Sequence, residues 1–554
     1  MQRSRCQFWR GVQRSRYQFL DEVVAVPTVT AAAGGEDCRP VVSKSALMTT
    51  TRQWGSVATV AALAAAAWGI GAVGQDQAHA DVVVQLPGAI TSPNIEYVGT
   101  IPVESPGVSH AVREVDGQRR LFVSGIKGLS IYDADDPAAP SLLGFLPLPH
   151  SQNEDVQVSA DGTRAIIAAD GGLPAPNQAT RGLHVIDTTD PANPVWQAWL
   201  DNAAGGTNHT ATCADDACEW VYGNRGSIYH VPADAASAED VEVVGSWFRE
   251  GITSSHALNR SVHPDPVTGE PVTIMISDSE PRLVLDATDP ANPVVLATSD
   301  PADHEGDGLL QHNNTRPNAA LWRPRSAVAD EPTAPTRKGP SQLPARAADR
   351  ARQAAGVDGT SDPATPTTDP FGGHLRPGEL VIGNSESNVV PQCDDESGGL
   401  TTFSIADFDQ GAPMEPLHTF RPVNGSWQDG NPAVNGLGCS GHWFDIRDGD
   451  TLIAASWYEH GVKVIEVQPD YSMREVGFFQ PVVTAAGAAT WVVDDDGTEY
   501  IYSTDYARGL DILRFHRDAP EATPADTAAA AALVLRAAQP QAELERMFCR
   551  LGAA

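Results

Sequence analysis

A repeated strand-turn-strand unit is the feature of this sequence that most restricts its fold. The pattern Asp-x-x-Asp-Pro-Ala-x-Pro begins at Asp133, Asp187 and Asp286, and each copy follows an apolar run rich in Val, Ile and Leu. The copies lie 54 and 99 residues apart, close to one and two units of about 50 residues, a period typical of repeat arrays and propellers. The apolar run predicts a strand, the Asp residues favour Asx turns, and the prolines exclude a helix. The unit is therefore a hairpin that the chain uses repeatedly.

The chain divides into seven units of four strands, which we call blades. After the last hairpin, blade seven has only three strands, the last of them LDILRF. The sequence NIEYVGTIPV, residues 94–103, has the pattern of an outer strand but stands alone before blade one; like residues 473–481, it places an apolar residue and Gly before the strand end. We expect this strand to complete blade seven and to leave no free sheet edge. The sequence therefore predicts an all-β, seven-bladed β-propeller over residues 81–515.

The segments that flank and interrupt the blades differ in composition. Residues 48–80 have a basic start, a small-residue apolar run and Ala-His-Ala ending at Ala80. This is the form of a secretory signal peptide cleaved after that residue, and a retained membrane anchor fits the Ala and Gly content less well. Residues 1–47 are interpreted as a mis-started or disordered leader. Residues 325–378, rich in Pro, Ala, Arg and Thr, predict a disordered insertion in blade five, and residues 516–554 predict a partly helical tail.

The charge of the chain narrows the classes of partner. It carries 37 Lys and Arg against 71 Asp and Glu, a formal net charge of −34. So acidic a protein repels nucleic acids and anionic membrane surfaces. No segment after the signal peptide is long and apolar enough to span a bilayer. We expect a secreted, extracellular protein that does not bind nucleic acid.

Export permits disulfide bonds, and five of the seven cysteines follow the signal peptide. Cys213 and Cys218 flank the four residues ADDA and could close a small hairpin loop. Cys393 and Cys439 could tie the long insertion to the next blade, which leaves Cys549 as the odd cysteine in the tail. The alternative for Cys213 and Cys218, half of a zinc site, lacks a second cysteine pair at ligand spacing.

Histidines occupy equivalent positions in five of the seven blades. When the blades are aligned on the second apolar position of the innermost strand, the set is His110, Glu154, His209, His256, His312 and His442, with Ala489 in blade seven. The starts of the innermost strands surround the axis of a propeller, so we expect these side chains to converge. Imidazoles suit copper, zinc or iron, and Glu154 could be a ligand or a base behind the ligands. The alternative is a solvated, hydrogen-bonded polar channel.

Other motifs point less directly to chemistry. Trp457, Tyr458, His460 and Tyr506 lie where second strands turn into hairpins, so they could rim one face and bind a ligand, or pack between blades. The Asp-Pro turns have too few oxygen ligands for a dedicated calcium loop. The sequence contains neither a nucleophile elbow nor a phosphate-binding glycine loop.

The segments GLHVIDTTDPANPV, ASWYEHGVKVIEV and YSTDYARGLDILRF resemble those of the LVIVD-repeat proteins, secreted or surface-anchored bacterial β-propellers. The resemblance covers most of residues 94–515. Blades three, five, six and seven depart from it because they lack the full Asp-Pro turn. A shorter segment, NHTATC at residues 208–213, is similar to an element of the selenium-binding protein family, which implies copper and thiol oxidation.

Two functions remain open at this point. The first is a binding scaffold for a protein, a glycan or a small ligand at the face or channel mouth. The second is a metal-dependent enzyme, an oxidoreductase that uses histidines at the axis. A propeller fold alone does not decide between them.

Overall fold

The computed structural model describes part of the chain between residues 89 and 528. The described residues are 89–102, 107–125, 127–148, 152–170, 182–201, 209–249, 252, 255–264, 270–279, 282–298, 309–315, 375, 379–387, 398–406, 414–422, 440–481, 484–506 and 508–528. The predicted leader and signal peptide, and most of the predicted insertion and tail, lie outside these ranges, so the predictions made for them are untested. Among the described residues, no helix has both the length and the apolar content needed to cross a membrane.

Within the described part of the chain, 29 strands form seven antiparallel sheets, one for each predicted blade. The strands that precede blade one are β1 (Ile90–Thr91) and β2 (Ile95–Ile101). Blades one and two contain β3 (Gly107–Val115), β4 (Gln118–Gly125), β5 (Gly128–Asp133), β6 (Ser141–Pro147), β7 (Gln152–Val158), β8 (Arg164–Asp170), β9 (Gly182–Asp187) and β10 (Val195–Asp201). Blades three and four contain β11 (Ala211–Cys213), β12 (Trp220–Gly223), β13 (Ser227–His230), β14 (Glu242–Ser246), β15 (Leu258–Pro264), β16 (Pro271–Ser277), β17 (Leu283–Asp286) and β18 (Val294–Thr298).

The last three blades follow the same order along the chain. They contain β19 (Leu309–Thr315), β20 (Leu380–Ser387), β21 (Leu400–Ser404), β22 (Glu415–Phe420), β23 (Gly441–Ile446), β24 (Leu452–Trp457), β25 (Gly461–Val467), β26 (Met473–Gln480), β27 (Ala486–Val493), β28 (Glu499–Asp505) and β29 (Gly509–Phe515). Two 3-10 turns, Ala238–Asp240 and Tyr458–His460, and a single helical turn at residues 524–528 complete the described secondary structure.

The sheets close into a ring, which confirms the predicted seven-bladed β-propeller. The innermost strands contact one another in the order β3, β7, β11, β15, β19, β23 and β27, and β27 contacts β3 again. The N-terminal strand β2 pairs with β29 from Ile95 opposite Phe515 to Ile101 opposite Leu510, so it supplies the missing outer strand of blade seven. The short β1 adds a fifth strand to blade six by pairing with β26.

The core lies between neighbouring blades because each central strand is buried on both faces. In β8, Ile166 packs with Val221 of blade three, whereas the next residue, Ile167, packs with Phe122 of blade one. Successive side chains of a strand point to opposite faces, so a strand covered on both sides needs apolar residues at consecutive positions. This explains why the strands read as continuous apolar runs.

The Asp-Pro segments form the predicted Asx turns. The backbone N–H of Thr189 donates to Asp187 Oδ1 at 2.9 Å, and that of Ala192 donates to Asp190 Oδ1 at 3.0 Å. The other two copies make the same first bond, from Asp135 to Asp133 and from Thr288 to Asp286. The carboxylates therefore hydrogen-bond to the turn backbone, as the turn interpretation requires.

Two local predictions can be compared with the structure. Strands β19 and β20 pair directly across the insertion, with Thr315 opposite Ile382, and Leu375 near its end is buried. The Cys213–Cys218 disulfide is confirmed, so both thiols are used and the zinc alternative is excluded. Cys393 and Cys439 lie outside the described residues.

Candidate functional site: the axial histidine cluster

The strand registers define one equivalent position near the start of each innermost strand. In blades one, two, five, six and seven the strand contains a β-bulge there: one residue is skipped in the register, or two in blade six, where His442 and Trp443 lie between the pairs Gly441–Trp457 and Phe444–Ala455. In blades three and four the equivalent residue directly precedes Thr210 and Ala257, whose carbonyls accept from the N–H groups of Asn224 and Asp278. The axial positions are Val108, Asp155, His209, His256, His312, His442 and Gly487.

This register corrects three positions of the predicted alignment, and in blade seven the axial residue is Gly487 instead of Ala489, which is paired with Ser503. His110 lies two residues beyond the bulge of blade one, and it makes no ring contact with the other predicted histidines. It is 8% exposed, and burial lowers its pKa to about 4. In blade two the axial residue is Asp155, because Glu154 is paired with Ala168. The side chain of Glu154 lies outside the described residues.

Four predicted histidines come together in consecutive blades. The ring centroids of His209 and His256 are 4.5 Å apart, those of His256 and His312 are 4.0 Å apart, and those of His312 and His442 are 4.3 Å apart. We call these four residues the axial histidine cluster. Trp443 also contacts His256, with ring centroids 6.4 Å apart, although their blades are not adjacent. Such an approach is possible only near the axis, where the innermost strands surround the channel.

His312 lies in the middle of this cluster and is its most enclosed member. It is 0% exposed, and neither ring nitrogen has a hydrogen-bond partner among the described residues. Burial and the proximity of His256, His442 and His209 lower its pKa well below the usual value. His312 is therefore neutral at physiological pH, and a neutral imidazole carries one lone pair and one N–H donor.

Neighbouring polar groups hold the cluster in place. His442 Nδ1 lies against the carbonyl oxygen of Gly487 in blade seven. A carbonyl can only accept, so Nδ1 carries a proton and Nε2 is the nitrogen that could offer a lone pair. The Asn384 side chain accepts from the N–H of Asn313 and donates to the carbonyl of His442, which connects blades five and six behind the rings.

Asp278 supports His256 in the same way. Its carboxylate accepts the Ser255 hydroxyl at 2.6 Å and the backbone N–H groups of His256 at 2.7 Å and Ala257 at 2.6 Å. His256 Nδ1 is 3.9 Å from Asp278 Oδ2, too far for a hydrogen bond. Burial raises the pKa of Asp278 well above its usual value despite these bonds. Its main structural effect is to fix the backbone that presents His256.

Aromatic side chains surround one side of the cluster. The Trp443 ring lies 4.9 Å from His312 and 6.0 Å from His442, and its indole N–H has no partner among the described residues. Tyr458 lies 4.7 Å from His442, and Tyr506 lies 6.2 Å from it. The sequence analysis did not identify Trp443, although it directly follows His442.

The four predicted rim residues fall into two pairs. Tyr458 and Tyr506 lie beside the cluster, as described above. Trp457 is 0% exposed within the core between blades five and six, and His460 is 4% exposed, with its pKa lowered to about 3 by burial. This corrects the expectation for Trp457 and His460, because side chains so deeply buried cannot line an exposed rim.

The donor atoms of the cluster are not arranged as a finished metal centre. Among the described residues, no group of three or more His, Cys, Asp or Glu side chains could hold a metal ion as placed. The cluster as described is a buried set of adjacent imidazoles.

Comparison with known proteins adds no functional assignment. No family model matches the chain, and no curated protein matches it. Among solved structures, the chain is 8% identical to U3-55K with a TM-score of 0.42, and the match covers 76% of this chain and 98% of the U3-55K chain. The chain is 9% identical to the RRP9 WD40 repeats with a TM-score of 0.41, and the match covers 80% of this chain and 100% of the RRP9 chain. A putative 6-phosphogluconolactonase from Bacteroides fragilis is 11% identical with a TM-score of 0.38, covering 73% and 96%. Likenesses this distant carry no inference about function.

Proposed function

We propose that this protein is a binding propeller of the LVIVD-repeat type and that its ligand site is the axial histidine cluster. The observation that carries the proposal is His312, an imidazole with 0% exposure and no hydrogen-bond partner for either nitrogen among the described residues. It is in ring contact with His256 on one side and His442 on the other.

Burying both ring nitrogens of His312 without hydrogen-bond partners is unfavourable unless a ligand supplies those partners. Burying a polar group without a hydrogen bond costs roughly 1–3 kcal/mol in proteins, and buried polar groups in native structures usually have partners. A ligand that coordinates or hydrogen-bonds imidazole nitrogens would recover this free energy. The geometry therefore supports a binding role for the cluster over a purely structural one.

The surroundings favour a small ligand or an ion. Trp443 covers the side of His312 and His442 at 4.9 and 6.0 Å, which restricts the space at these rings. Its indole N–H is a further unused donor among the described residues. A site lined by aromatic rings with a few polar groups is typical of small-molecule sites. A folded protein or a glycan chain could not reach the enclosed His312.

Export to an oxidising compartment is part of the proposal. The pattern of residues 48–80 and cleavage after Ala80 would deliver the propeller to the cell exterior. The Cys213–Cys218 disulfide supports this, because disulfides persist mainly in oxidising compartments. We expect the N-terminal sequence of the secreted protein to begin at Asp81.

A second candidate is a metal-dependent oxidoreductase at the same cluster. The phenols of Tyr458 and Tyr506 near His442 favour it, because they would face a substrate approaching a bound metal from that side. Histidine is a common ligand of copper and iron. Oxygen uptake by the copper-loaded protein in the presence of a thiol would support this candidate, and no uptake above the protein-free rate would contradict it.

The binding proposal is tested by native mass spectrometry of residues 81–554 purified without chelator. Spectra are recorded before and after incubation with Zn²⁺ and with Cu²⁺, for the natural protein and for the double variant His312→Ala, His442→Ala. His516→Ala is the control, because His516 is exposed and pairs with Glu96 away from the cluster. We expect a bound mass that the double variant loses and the control keeps. Identical spectra for the natural protein and a folded double variant would overturn the proposal.

A further inference from the structure

We infer that the Cys213–Cys218 disulfide positions one end of the axial histidine cluster, so that the placement of His209 and His256 depends on the oxidised state of this cysteine pair. The consequence for ligand binding rests on the proposed function, but the placement itself can be measured without a ligand. His209 lies two residues before the start of β11, and Cys213 is the last residue of that strand. The cluster and the disulfide therefore lie at opposite ends of one short segment, about 13 Å apart at about 3.3 Å per residue.

Strand β11 is the shortest innermost strand in the described part of the chain. It has three residues, whereas the other innermost strands have six to nine. It pairs with β12 at three positions, from Ala211 opposite Gly223 to Cys213 opposite Val221. A strand with so few ladder bonds opens at a lower free energy than a long one. The disulfide begins at the last of these positions and closes the loop of residues 214–217, so it limits the opening of the pair from that end.

Two threonines of this segment fix the backbone of blade four. The Thr210 hydroxyl donates to the carbonyl of His256, and the Thr212 hydroxyl donates to the carbonyl of Leu258 at 2.7 Å. All four residues are buried, so these hydrogen bonds are shielded from water. A displacement of β11 would therefore break the hydrogen bonds that hold the backbone on either side of the blade-four histidine.

Asn224 connects the same segment to blade four a second time. Its side-chain oxygen accepts the backbone N–H of His209 at 2.9 Å, and its amide group donates to the carbonyl of Ser255 at 3.0 Å. Its own backbone N–H donates to the Thr210 carbonyl at 3.1 Å. Because Asn224 directly follows β12, these contacts persist only while β11 and β12 stay paired. The ring contact between His209 and His256 thus depends on that pairing.

The loop that the disulfide closes is anchored on two sides. The Asp216 carbonyl accepts the N–H of Ala160 in blade two at 2.7 Å, and the Asp216 carboxylate accepts Arg260 Nη2 of blade four at 2.8 Å. The buried Arg164 of blade two donates from Nη1 to the Cys218 carbonyl at 3.4 Å. The disulfide therefore ties the end of β11 to a loop that blades two and four hold in place.

Reduction by a dithiol removes this link. The dithiol supplies two electrons and two protons, the sulfur–sulfur bond breaks to give the thiols of Cys213 and Cys218, and the dithiol becomes a disulfide. Cys213 is 6% exposed and Cys218 is 0% exposed, so the attacking thiolate reaches the bond only when the loop opens locally. After reduction, β11 keeps only its three ladder positions and the contacts that depend on them. We expect His209 and His256 to become more accessible to solvent.

The test is hydrogen exchange of residues 81–554 measured by mass spectrometry, at the backbone amides and at the C2 hydrogen of each imidazole. The cysteine variant, Cys213→Ala, Cys218→Ala, removes the link permanently, and dithiothreitol removes it from the natural protein. In both we expect the amides of residues 211–213 to exchange at least about tenfold faster and the imidazoles of His209 and His256 at least about twofold faster. His110 and His516 are internal references and should not change.

Two controls isolate the effect of the link. Dithiothreitol should not alter exchange in the cysteine variant any further, which excludes an effect of the remaining cysteines. Gly144→Ala is the matched variant for a general loss of stability, because the added methyl group would clash with the Asp-Pro turn of blade two, away from β11. It should lower the melting temperature without changing exchange at His209 or His256. Circular dichroism establishes that each variant is folded.

The outcomes separate this inference from the proposed function. Unchanged exchange at His209 and His256 in the folded cysteine variant, or an equal increase in Gly144→Ala, would overturn the inference. In native mass spectrometry, a bound mass that His312→Ala, His442→Ala loses and the cysteine variant keeps at equal occupancy would also overturn it and would leave the binding proposal intact. No bound mass in the natural protein, together with faster exchange in the cysteine variant, would overturn the binding proposal and support the positioning role of the disulfide.

Discussion

At the scale of single residues, Asp278 shows how a buried carboxylate fixes the backbone of the site. It accepts three hydrogen bonds, two of them from the backbone N–H groups of His256 and Ala257. In Asp278→Asn one carboxylate oxygen becomes an NH₂ group that faces a donor, so we expect the free energy of unfolding to fall by about 1–3 kcal/mol. Urea denaturation measures this. Asp187→Asn is the control, because one acceptor oxygen there is enough for the exposed turn bond from the Thr189 N–H, and a loss as large there would contradict the explanation.

Asp445 predicts a pH dependence of stability. Burial is the main cause that raises its pKa to about 7, although it accepts the backbone N–H of Trp491 at 2.9 Å. In the unfolded chain an Asp pKa is about 3.9. Between these values the folded state binds more protons than the unfolded state, so the contribution of Asp445 is fully present below about pH 4 and is lost as the pH rises through about 7.

The variant Asp445→Asn isolates this contribution, because the amide oxygen still accepts from Trp491 and no longer ionises. We expect the variant and the natural protein to be similar at pH 4. Above pH 7 the variant should be more stable by an amount of the order of 1–4 kcal/mol, since one pKa unit corresponds to about 1.4 kcal/mol. Urea unfolding at pH 4 to 8 measures the difference. A constant difference across this range would show that the ionisation of Asp445 does not affect stability.

The sequence predicted the axial histidine cluster better than it predicted the rest of the site. Four histidines at strand starts were recognisable because a propeller brings those starts together. Asp155 was missed and Glu154 chosen because a bulge shifts the register by one residue without changing the hydrophobic pattern. His110 was included for the same reason. Asn384 lies in the second strand β20 and Asp278 directly follows the second strand β16, and both connect to the site only through tertiary contacts, which no local pattern reveals.

At the scale of elements, every outer strand carries a bulge at the same place. In all seven blades one residue is skipped in the pairing between the third and outer strands. In four blades the residue after the bulge is a glycine: Gly99, Gly144, Gly245 and Gly477. The sequence pattern of Gly before the strand end therefore has a structural cause, although only the strand itself could be predicted from it.

Two of these glycines give a matched test of the packing between blades. A Cβ on Gly144 would lie 2.3 Å from the carbonyl oxygen of Pro191 in the Asp-Pro turn of blade two, whereas one on Gly245 would have nothing within 4 Å. We expect Gly144→Ala to reduce the free energy of unfolding by about 1–3 kcal/mol and Gly245→Ala to change it by less than about 0.5 kcal/mol. Thermal and urea unfolding measure both. Equal effects would show that the turn of the next blade does not limit the strand.

The seven blades could be predicted from the sequence because two independent signals agree, the turn residues and the apolar runs. Asp187 and Asp190 mark a turn through side-chain hydrogen bonds that depend only on local sequence. The apolar runs on either side of this turn are continuous because each strand is buried on both faces. The insertion did not obscure blade five, since β19 and β20 keep the innermost and second-strand patterns on either side of it. The sequence did not predict the exact residues at which strands end or bulges occur.

At the scale of the whole molecule, ring closure depends on a strand that is distant in sequence from its partner. Strand β2 lies more than 400 residues before β29, and Thr100 donates to the buried Asp511 at 2.5 Å across the pair. Arg508 forms ion pairs with both Asp505 and Asp511 at the same place. The ends of the propeller are thus held by backbone pairing and by a buried charged network. Any truncation that removes β2 breaks the pairing and removes the Thr100 hydrogen bond, whereas Arg508 keeps its ion pairs with Asp505 and Asp511.

A chain of residues 105–554 should therefore fold into an open ring of lower stability than residues 89–554. It loses the burial of Ile95 and Ile101, which are 3% and 0% exposed, each worth roughly 1.5–3 kcal/mol, and it exposes the edge of β29 to association with other chains. We expect a lower melting temperature and concentration-dependent oligomers by sedimentation velocity. A synthetic peptide of residues 89–102 should raise the melting temperature of the truncated chain as its concentration rises, because it binds the folded state alone, and Thr100→Ala in the peptide should weaken this effect. If residues 105–554 melt at the same temperature as residues 89–554 and remain monomeric, β2 is not required to close the ring.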